Sequence, residues 1–279
     1  MISFFALPSY VGKSYSKRQK DLITRRVSSR IRAEEMSKYL GAKLNPTEGY
    51  ENDACIHVKP KNLSSVRDGD WLDFLDGGSF EKDLKHRPGV KIIAASQHEQ
   101  DYLKSVYPNE VTLIPSHHLN IERVRREREE INVGGYIGVS SIGAFKLYAD
   151  LAERLKSIGF GFTTCFDFKT RQDAVDLYRN IDLFIYGEWV GGDGHFKIPT
   201  KMINAMSFGV PSISISPTPL QGNKEIEGYY VRANDIEDML IKAKEFQNES
   251  YYKGWADKVV EFSENYHIEK VAELYRRLT

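Results

Sequence analysis

The chain has 279 residues, and 39 Lys plus Arg are balanced by 39 Asp plus Glu. A net charge of zero excludes binding to nucleic acid or to an anionic membrane by bulk charge, though a local basic patch remains open. Hydrophobic residues at 41% and charged residues at 28% exclude a disordered chain, and the length fits about two domains. The two cysteines, Cys55 and Cys165, stand in separate apolar runs. They read as buried thiols of a reducing compartment rather than as a disulfide framework. The N-terminus has no charged segment ahead of its apolar stretch, so it is a poor secretion signal. No run approaches 18 apolar residues, so no membrane span is expected. A cytoplasmic location is expected, with peripheral contact at the inner face of a membrane left open.

In chain order, short apolar runs predict strands at Ile2–Leu7, Ala54–Val58, Val90–Ala95 and Val111–Ile114. The second half predicts further strands at Tyr136–Val139, Gly161–Phe166, Leu183–Tyr186, Ser212–Ile215 and Tyr229–Arg232. Helical faces lie between them. Ala33, Met36 and Leu40 precede Gly41; Tyr148, Leu151, Leu155 and Ile158 precede Gly159; Ala174, Leu177, Tyr178 and Ile181 form a third face. Thr200 can cap a helix carrying Ile203 and Met206 and stopped by Gly209 and Pro211. Helices are also expected at Ile236–Phe246, Tyr251–Ser263 and Ile268–Leu278.

Strands alternating with helices predict parallel sheets covered by helices. The run Ile121–Ile131, with four Arg against four Glu, reads as a linker and a solvated helix face. The expected division is 1–130, 131–262 and a terminal helix at 263–279 that packs back on the first lobe. Two doubly wound lobes form a cleft, and ligands of such sheets bind beyond the carboxyl ends of the strands.

The most informative stretch runs from Asp193 to Pro211, DGHFKIPTKMINAMSFGVP, followed by a strand and a polar loop containing Glu225. A helix start near Thr200 offers N–H groups and partial positive charge to a phosphate. Lys197 and Lys201 either add cations there or are solvated. Asn204 lies one turn in, where it can reach a ribose or sugar hydroxyl. His195, in the same loop, is a phosphate or sugar contact or a solvated histidine.

This stretch resembles the donor-binding signature of GT-B glycosyltransferases, in particular the retaining family-four (group 1) type, in its Asn204-Ala205-Met206-Ser207-Phe208-Gly209-Val210-Pro211. LYRNIDLFIYGEW, VKIIAASQHEQDYLKSVYPNEVTLIPSHHLN, SSRIRAEEMSKYLGAKL and ENYHIEKVAELYRRL resemble other parts of that family in the expected order. The resemblance implies an α/β, GT-B-like fold of two Rossmann-like lobes with an interlobe cleft. It implies transfer of a hexosyl or pentosyl unit, with retention, from a UDP- or GDP-linked sugar to an acceptor hydroxyl. It implies no metal and no cofactor beyond that donor.

The departures are specific. The family's two glutamates would fall at positions 196 and 204, which hold Phe196 and Asn204. Lys197, Pro199 and Lys201 instead resemble a subgroup with basic residues before the helix. The resemblance places nucleobase packing at Phe166-Asp167-Phe168, with Phe168 a donor contact and a core role equally open for Phe166; Glu225 is expected at the same donor cleft, and Lys146 is the one candidate for the diphosphate clamp.

In the first half, residues 13–32 hold eight basic residues against Asp21 alone. They are either a solvated surface or an anion-binding rim, with Arg25, Arg26 and Arg30 as acceptor or phosphate contacts. Asp73 and Asp76, in WLDFLDGG, stand at a strand exit, where a carboxylate can serve as a base or simply start a turn. His57 reads as a core residue, and His117 or His118 as a candidate for the cleft. The acceptor is a glycan, a lipid-linked sugar or, in a rival reading, a modified base of DNA. Other rivals are a nucleotide-sugar epimerase and a non-catalytic glycosyltransferase-like binding module. An NAD-dependent oxidoreductase is disfavoured because no Gly-x-Gly-x-x-Gly follows the first strand.

Overall fold

The computed structural model describes residues 1–7, 29–74, 80–138, 142–166, 168, 170–187, 199–215 and 224–279, the side chains of 81 and 142–147 aside. Of these, 1–117 and 268–279 fall in one compact unit, and 118–187 and 199–267 in the other.

The first unit is built on a parallel sheet of order β2-β1-β3-β4-β5-β6. Its strands are β1 (Ile2–Ala6), β2 (Lys43–Leu44), β3 (Ala54–Val58), β4 (Trp71–Asp73), β5 (Lys91–Ala94) and β6 (Val111–Leu113). A π-helical segment, Arg30–Glu35, runs into α1 (Met36–Leu40), which ends on Gly41. The short helix α2 (Glu81–Leu84) precedes β5, and α3 (Gln97–Val106) follows it. The Ser96 side chain caps α3 by accepting from the Glu99 amide at 3.1 Å, and the Glu99 carboxylate accepts from the Ala95 amide at 2.5 Å. One core of this unit gathers Leu63, Leu72, Leu84, Ile92, Leu103 and Val111 around Phe74 and Tyr107. The chain returns to the unit for α9 (Ile268–Arg276), whose buried Tyr275 meets Phe4 edge-on at 5.4 Å.

A buried polar cluster braces the far side of β3. His57 stacks on Phe5 at 4.9 Å, and its Nε2 lies 3.0 Å from the Asp70 carboxylate, which also accepts from the Arg67 amide at 2.9 Å. Burial pushes the Asp70 carboxyl up, but bonds from His57 and Arg67 outweigh it, and the net shift is below the ordinary value of 3.8. A depressed carboxyl contributes stability above its unfolded value and loses it as pH falls through the folded one. Asp70→Asn is therefore expected to melt below the wild type at pH 7, with the gap closing as pH falls below about 4. Melting curves across pH 3–7 read this directly; a constant gap would remove Asp70 from the acid response.

The second unit holds a parallel sheet of order β11-β10-β9-β7-β8. Its strands are β7 (Val133–Ile137), β8 (Gly161–Cys165), β9 (Leu183–Gly187), β10 (Ser212–Ile215) and β11 (Val231–Ala233). The helices are α4 (Ile142–Lys156), α5 (Arg171–Arg179), α6 (Thr200–Ser207), α7 (Ile236–Glu245) and α8 (Glu249–Ser263). The order reverses at β7, which has β8 on one side and β9 on the other.

Three local expectations are corrected. The strand expected at Tyr136–Val139 begins at Val133 instead. Gly134 and Gly135, which fall ahead of the expected strand in the linker region, are strand residues kept small by packing. A Cβ on Gly135 would stand 2.5 Å from the Ile181 side chain, and one on Gly134 would stand 3.1 Å from Phe162. The charge-dense run Ile121–Ile131 is not helical. It is a strap of turns and irregular backbone tied down by ion pairs. Arg123 bonds Glu264, and Arg126 and Arg128 both reach the fully buried Asp182. Glu122 pairs with Arg171, and Glu127 with Arg179. Thr200 does not cap α6. Pro199 occupies the cap position, and its carbonyl accepts from the Met202 and Ile203 amides at 2.8 and 3.2 Å. The helix stops at Gly209, whose φ of +75° is open to glycine and strained for other residues.

Candidate functional site

The sequence-predicted residues Asp76, His195, Lys197, Arg25 and Arg26 lie outside the described residues, as does the Lys146 side chain. The rest can be placed.

In the second unit the site forms where β7 ends. Sheets of this kind receive ligands at the carboxyl ends of the strands flanking the order reversal. Tyr136, one residue from the end of β7, is 8% exposed. Its ring stacks on Tyr148 of α4 at 4.0 Å and on Phe184 of β9 at 6.1 Å, and Phe166 leans on it at 5.9 Å. The Tyr148 hydroxyl accepts from the Gly187 amide at 3.4 Å. Burial pushes the Tyr148 phenol far up, so it stays protonated.

Lys201, in the first turn of α6, reaches this aromatic slab. Its ammonium donates to the Tyr136 hydroxyl at 3.0 Å and lies 4.8 Å from the ring centroid. The neighbouring residue is Gly138, where any side chain would press on both groups. A Cβ would fall 2.4 Å from the Tyr136 hydroxyl and 2.8 Å from the Lys201 ammonium. Lys201 is thus brought to the strand exit, beside bare backbone. The first turn of α6 has no side-chain cap and no acidic residue, so its partial positive charge is not offset from within.

The same helix is fixed from behind. The Tyr178 hydroxyl donates to the Lys201 carbonyl at 3.1 Å. Asn204, 7% exposed, accepts from the Leu119 amide at 2.9 Å. The sequence placed Asn204 against a sugar or ribose hydroxyl. The structure gives it to the Leu119 backbone, just ahead of the strap, where it anchors α6. Phe168 is half-buried beyond β8, while Phe166 is the aromatic that joins Tyr136 and Tyr148. Glu225 lies on a 3-10 turn after β10, close enough to Tyr266 to raise that phenol, which burial already pushes up.

In the first unit, Asp73 ends β4 and is 1% exposed. Its carboxylate is paired with the equally buried Arg32 guanidinium, which also donates to the Ser116 hydroxyl at 3.3 Å. Arg30 pairs with Glu34 one helical turn on, at 3.5 Å. His117 and His118 are both 1% exposed. The His117 ring contacts the Ile31 carbonyl at 3.1 Å, and His118 meets His267 edge-on at 5.4 Å. Among the described residues no cluster of His, Cys, Asp or Glu could hold a metal ion, and no helix is long and apolar enough to cross a membrane.

No family model and no curated protein sequence matches the chain. Solved structures do. HepE of Anabaena, in complex with UDP and glucose, superposes with a TM-score of 0.56 at 11% identity, covering 99% of this chain and 98% of HepE. The pneumococcal O-GlcNAc transferase GtfA, in complex with UDP and GlcNAc, gives 0.53 at 10% identity, over 82% of this chain and 52% of GtfA. Sucrose-phosphate synthase of Thermosynechococcus elongatus gives 0.50 at 12% identity, over 81% of this chain and 68% of the synthase. The fold is that of the GT-B glycosyltransferases. The chain spans about half the length of GtfA but nearly all of HepE. Of this arrangement the sequence reading names Lys201 and does not name Tyr136, Gly138, Tyr148 or Tyr178 as site residues. The available signal was an aromatic next to the end of a strand, with a second one in the helix that follows.

Proposed function

We propose that the chain is a glycosyltransferase that moves a sugar from a nucleoside-diphosphate sugar to an acceptor hydroxyl. The observation that carries this is the Lys201 ammonium, set beside Gly138 at the end of the strand where the sheet order reverses, next to an uncapped helix start. HepE and GtfA, which share the fold, are complexes with UDP.

The chemistry follows from charge. Breaking the bond between sugar and diphosphate builds negative charge on the leaving phosphate. A preset ammonium and aligned N–H groups stabilise that charge most where it develops. Lys201 and the first turn of α6 take this role, and the slab of Tyr136, Tyr148 and Phe166 forms the apolar wall beside it. UDP is the favoured nucleotide and a glycan the favoured acceptor. Retention, which the family-four resemblance implies, is checked by the anomeric configuration of the product.

Asn204 stands where the family has a glutamate, and it is engaged with backbone. This favours, as a second reading, a module that binds the nucleotide sugar without turning it over. UDP release from a panel of UDP-sugars separates the two: release supports the enzyme, and binding without release supports the module.

The phosphate site is tested by calorimetry with UDP and GDP. Lys201→Ala is expected to weaken the preferred nucleotide at least tenfold, or about 1.4 kcal/mol, because a charge-assisted bond is lost. Unchanged affinity would overturn the assignment.

A further inference from the structure

The proposed donor site contains one arrangement that a phosphate-binding lysine alone does not require. Lys201 rests on a tyrosine that has no freedom of its own. Tyr136 is buried and stacked at 4.0 Å on Tyr148, whose hydroxyl a backbone amide of β9 holds in turn. Its hydroxyl accepts from the Lys201 ammonium at 3.0 Å, and its ring lies 4.8 Å beneath it.

A lysine side chain has a long, flexible stem, and fixing it when a ligand arrives subtracts from affinity. Fixing it in advance removes that cost. An ammonium has three N–H donors, and Tyr136 takes one of them. We propose that Tyr136 is a positioning residue. It holds Lys201 at the strand exit before the diphosphate enters, and Gly138 is kept bare so that this can happen. The proposal rests on the glycosyltransferase reading of the same site and names the device that presets its cation.

The consequence is selective. Only the part of the affinity that depends on the Lys201 cation should depend on the Tyr136 hydroxyl. Tyr136→Phe keeps the ring, the stack and the cation–π contact, and deletes only the hydroxyl.

The experiment measures UDP and UMP affinities by calorimetry for the wild type, Tyr136→Phe, Gly138→Ala and Lys201→Ala, with a melting curve for each. Tyr136→Phe is expected to weaken UDP three- to tenfold and to narrow the ratio of UDP to UMP affinity, with melting within about 2 °C of the wild type. Gly138→Ala, which places a methyl against both the hydroxyl and the ammonium, is expected to do the same more strongly. It carries the test if Tyr136→Phe does not fold.

If Lys201→Ala loses UDP while Tyr136→Phe and Gly138→Ala bind it as the wild type does, the positioning role is overturned and the phosphate site stands. If Tyr136→Phe weakens UDP and UMP equally, its role is merely structural and the proposal fails. If Lys201→Ala leaves UDP binding unchanged, the site reading itself falls, and the inference with it.

Discussion

Asp73→Asn should lower the melting temperature by about 10 °C, equivalent to about 3–5 kcal/mol, and this loss will precede any effect on chemistry. Its sequence position, at the exit of a strand, suggests a catalytic carboxylate, but its surroundings give it another task. Asp73 and Arg32 are each 1% exposed and are paired with one another. Burial works against the charge on Arg32, but the Asp73 carboxylate outweighs it and raises the guanidinium above its ordinary value. An asparagine keeps the shape and removes the charge. Arg32 cannot respond by losing its proton, so an unpaired cation is left in the interior. Its Nη2 already has no hydrogen-bond partner among the described residues. Replacing both partners with apolar groups, Arg32→Met with Asp73→Leu, should recover most of the loss, since removing a buried pair costs far less than breaking it. A general base would behave differently. Turnover would fall in Asp73→Asn while melting stayed within a degree of the wild type, and that result would return Asp73 to the catalytic list.

The regular part of the fold was legible because its physics is local. β3 begins and ends where the apolar run Ala54–Val58 does, and the αL glycine that closes α1 is where the helical face runs out. What misled was composition acting at a distance. Gly134 and Gly135 look like linker until Ile181 and Phe162 are seen against them. The balanced charges of Ile121–Ile131 look like a solvated face until Asp182 is seen beneath two of the arginines. The two-residue strand β2 carries too little pattern to be read at all.

The candidate site divides in the same way. Lys201 is visible in sequence because a lysine at a helix start has a local electrostatic meaning. Tyr136 is not, because its meaning comes from Lys201, 65 positions away. Asn204 shows the converse: a polar residue with a reasonable local role was claimed by a backbone amide 85 positions away.

Asp182→Ala should be at least as damaging as Asp73→Asn, by about 3–5 kcal/mol, and its damage should extend to the donor site. Asp182, fully buried, accepts from the Asn132 and Val133 amides at 2.8 and 2.7 Å and receives Arg126 at 3.0 Å and Arg128 at 3.2 Å. Arg126 is held further by the Tyr252 hydroxyl at 2.8 Å and lies over its ring. Alanine removes the carboxylate that Arg126 and Arg128 share and leaves the Asn132 and Val133 amides without their acceptor. Those amides start β7, and Tyr136 stands three residues after Val133 on the same strand. A frayed start therefore loosens the strand that presents Tyr136 to Lys201, and UDP affinity should fall in the fraction that remains folded. Hydrogen exchange at Asn132 and Val133 should rise in the variant before exchange elsewhere in the sheet. Salt separates this hub from the surface pairs of the strap. Glu122–Arg171 and Glu127–Arg179 are partly exposed and should weaken in 1 M salt, whereas the deficit of Asp182→Ala should persist there, because water and ions do not reach the buried carboxylate. A deficit that vanished in high salt would mean that Asp182 acts through the surface field and not as the anchor of β7.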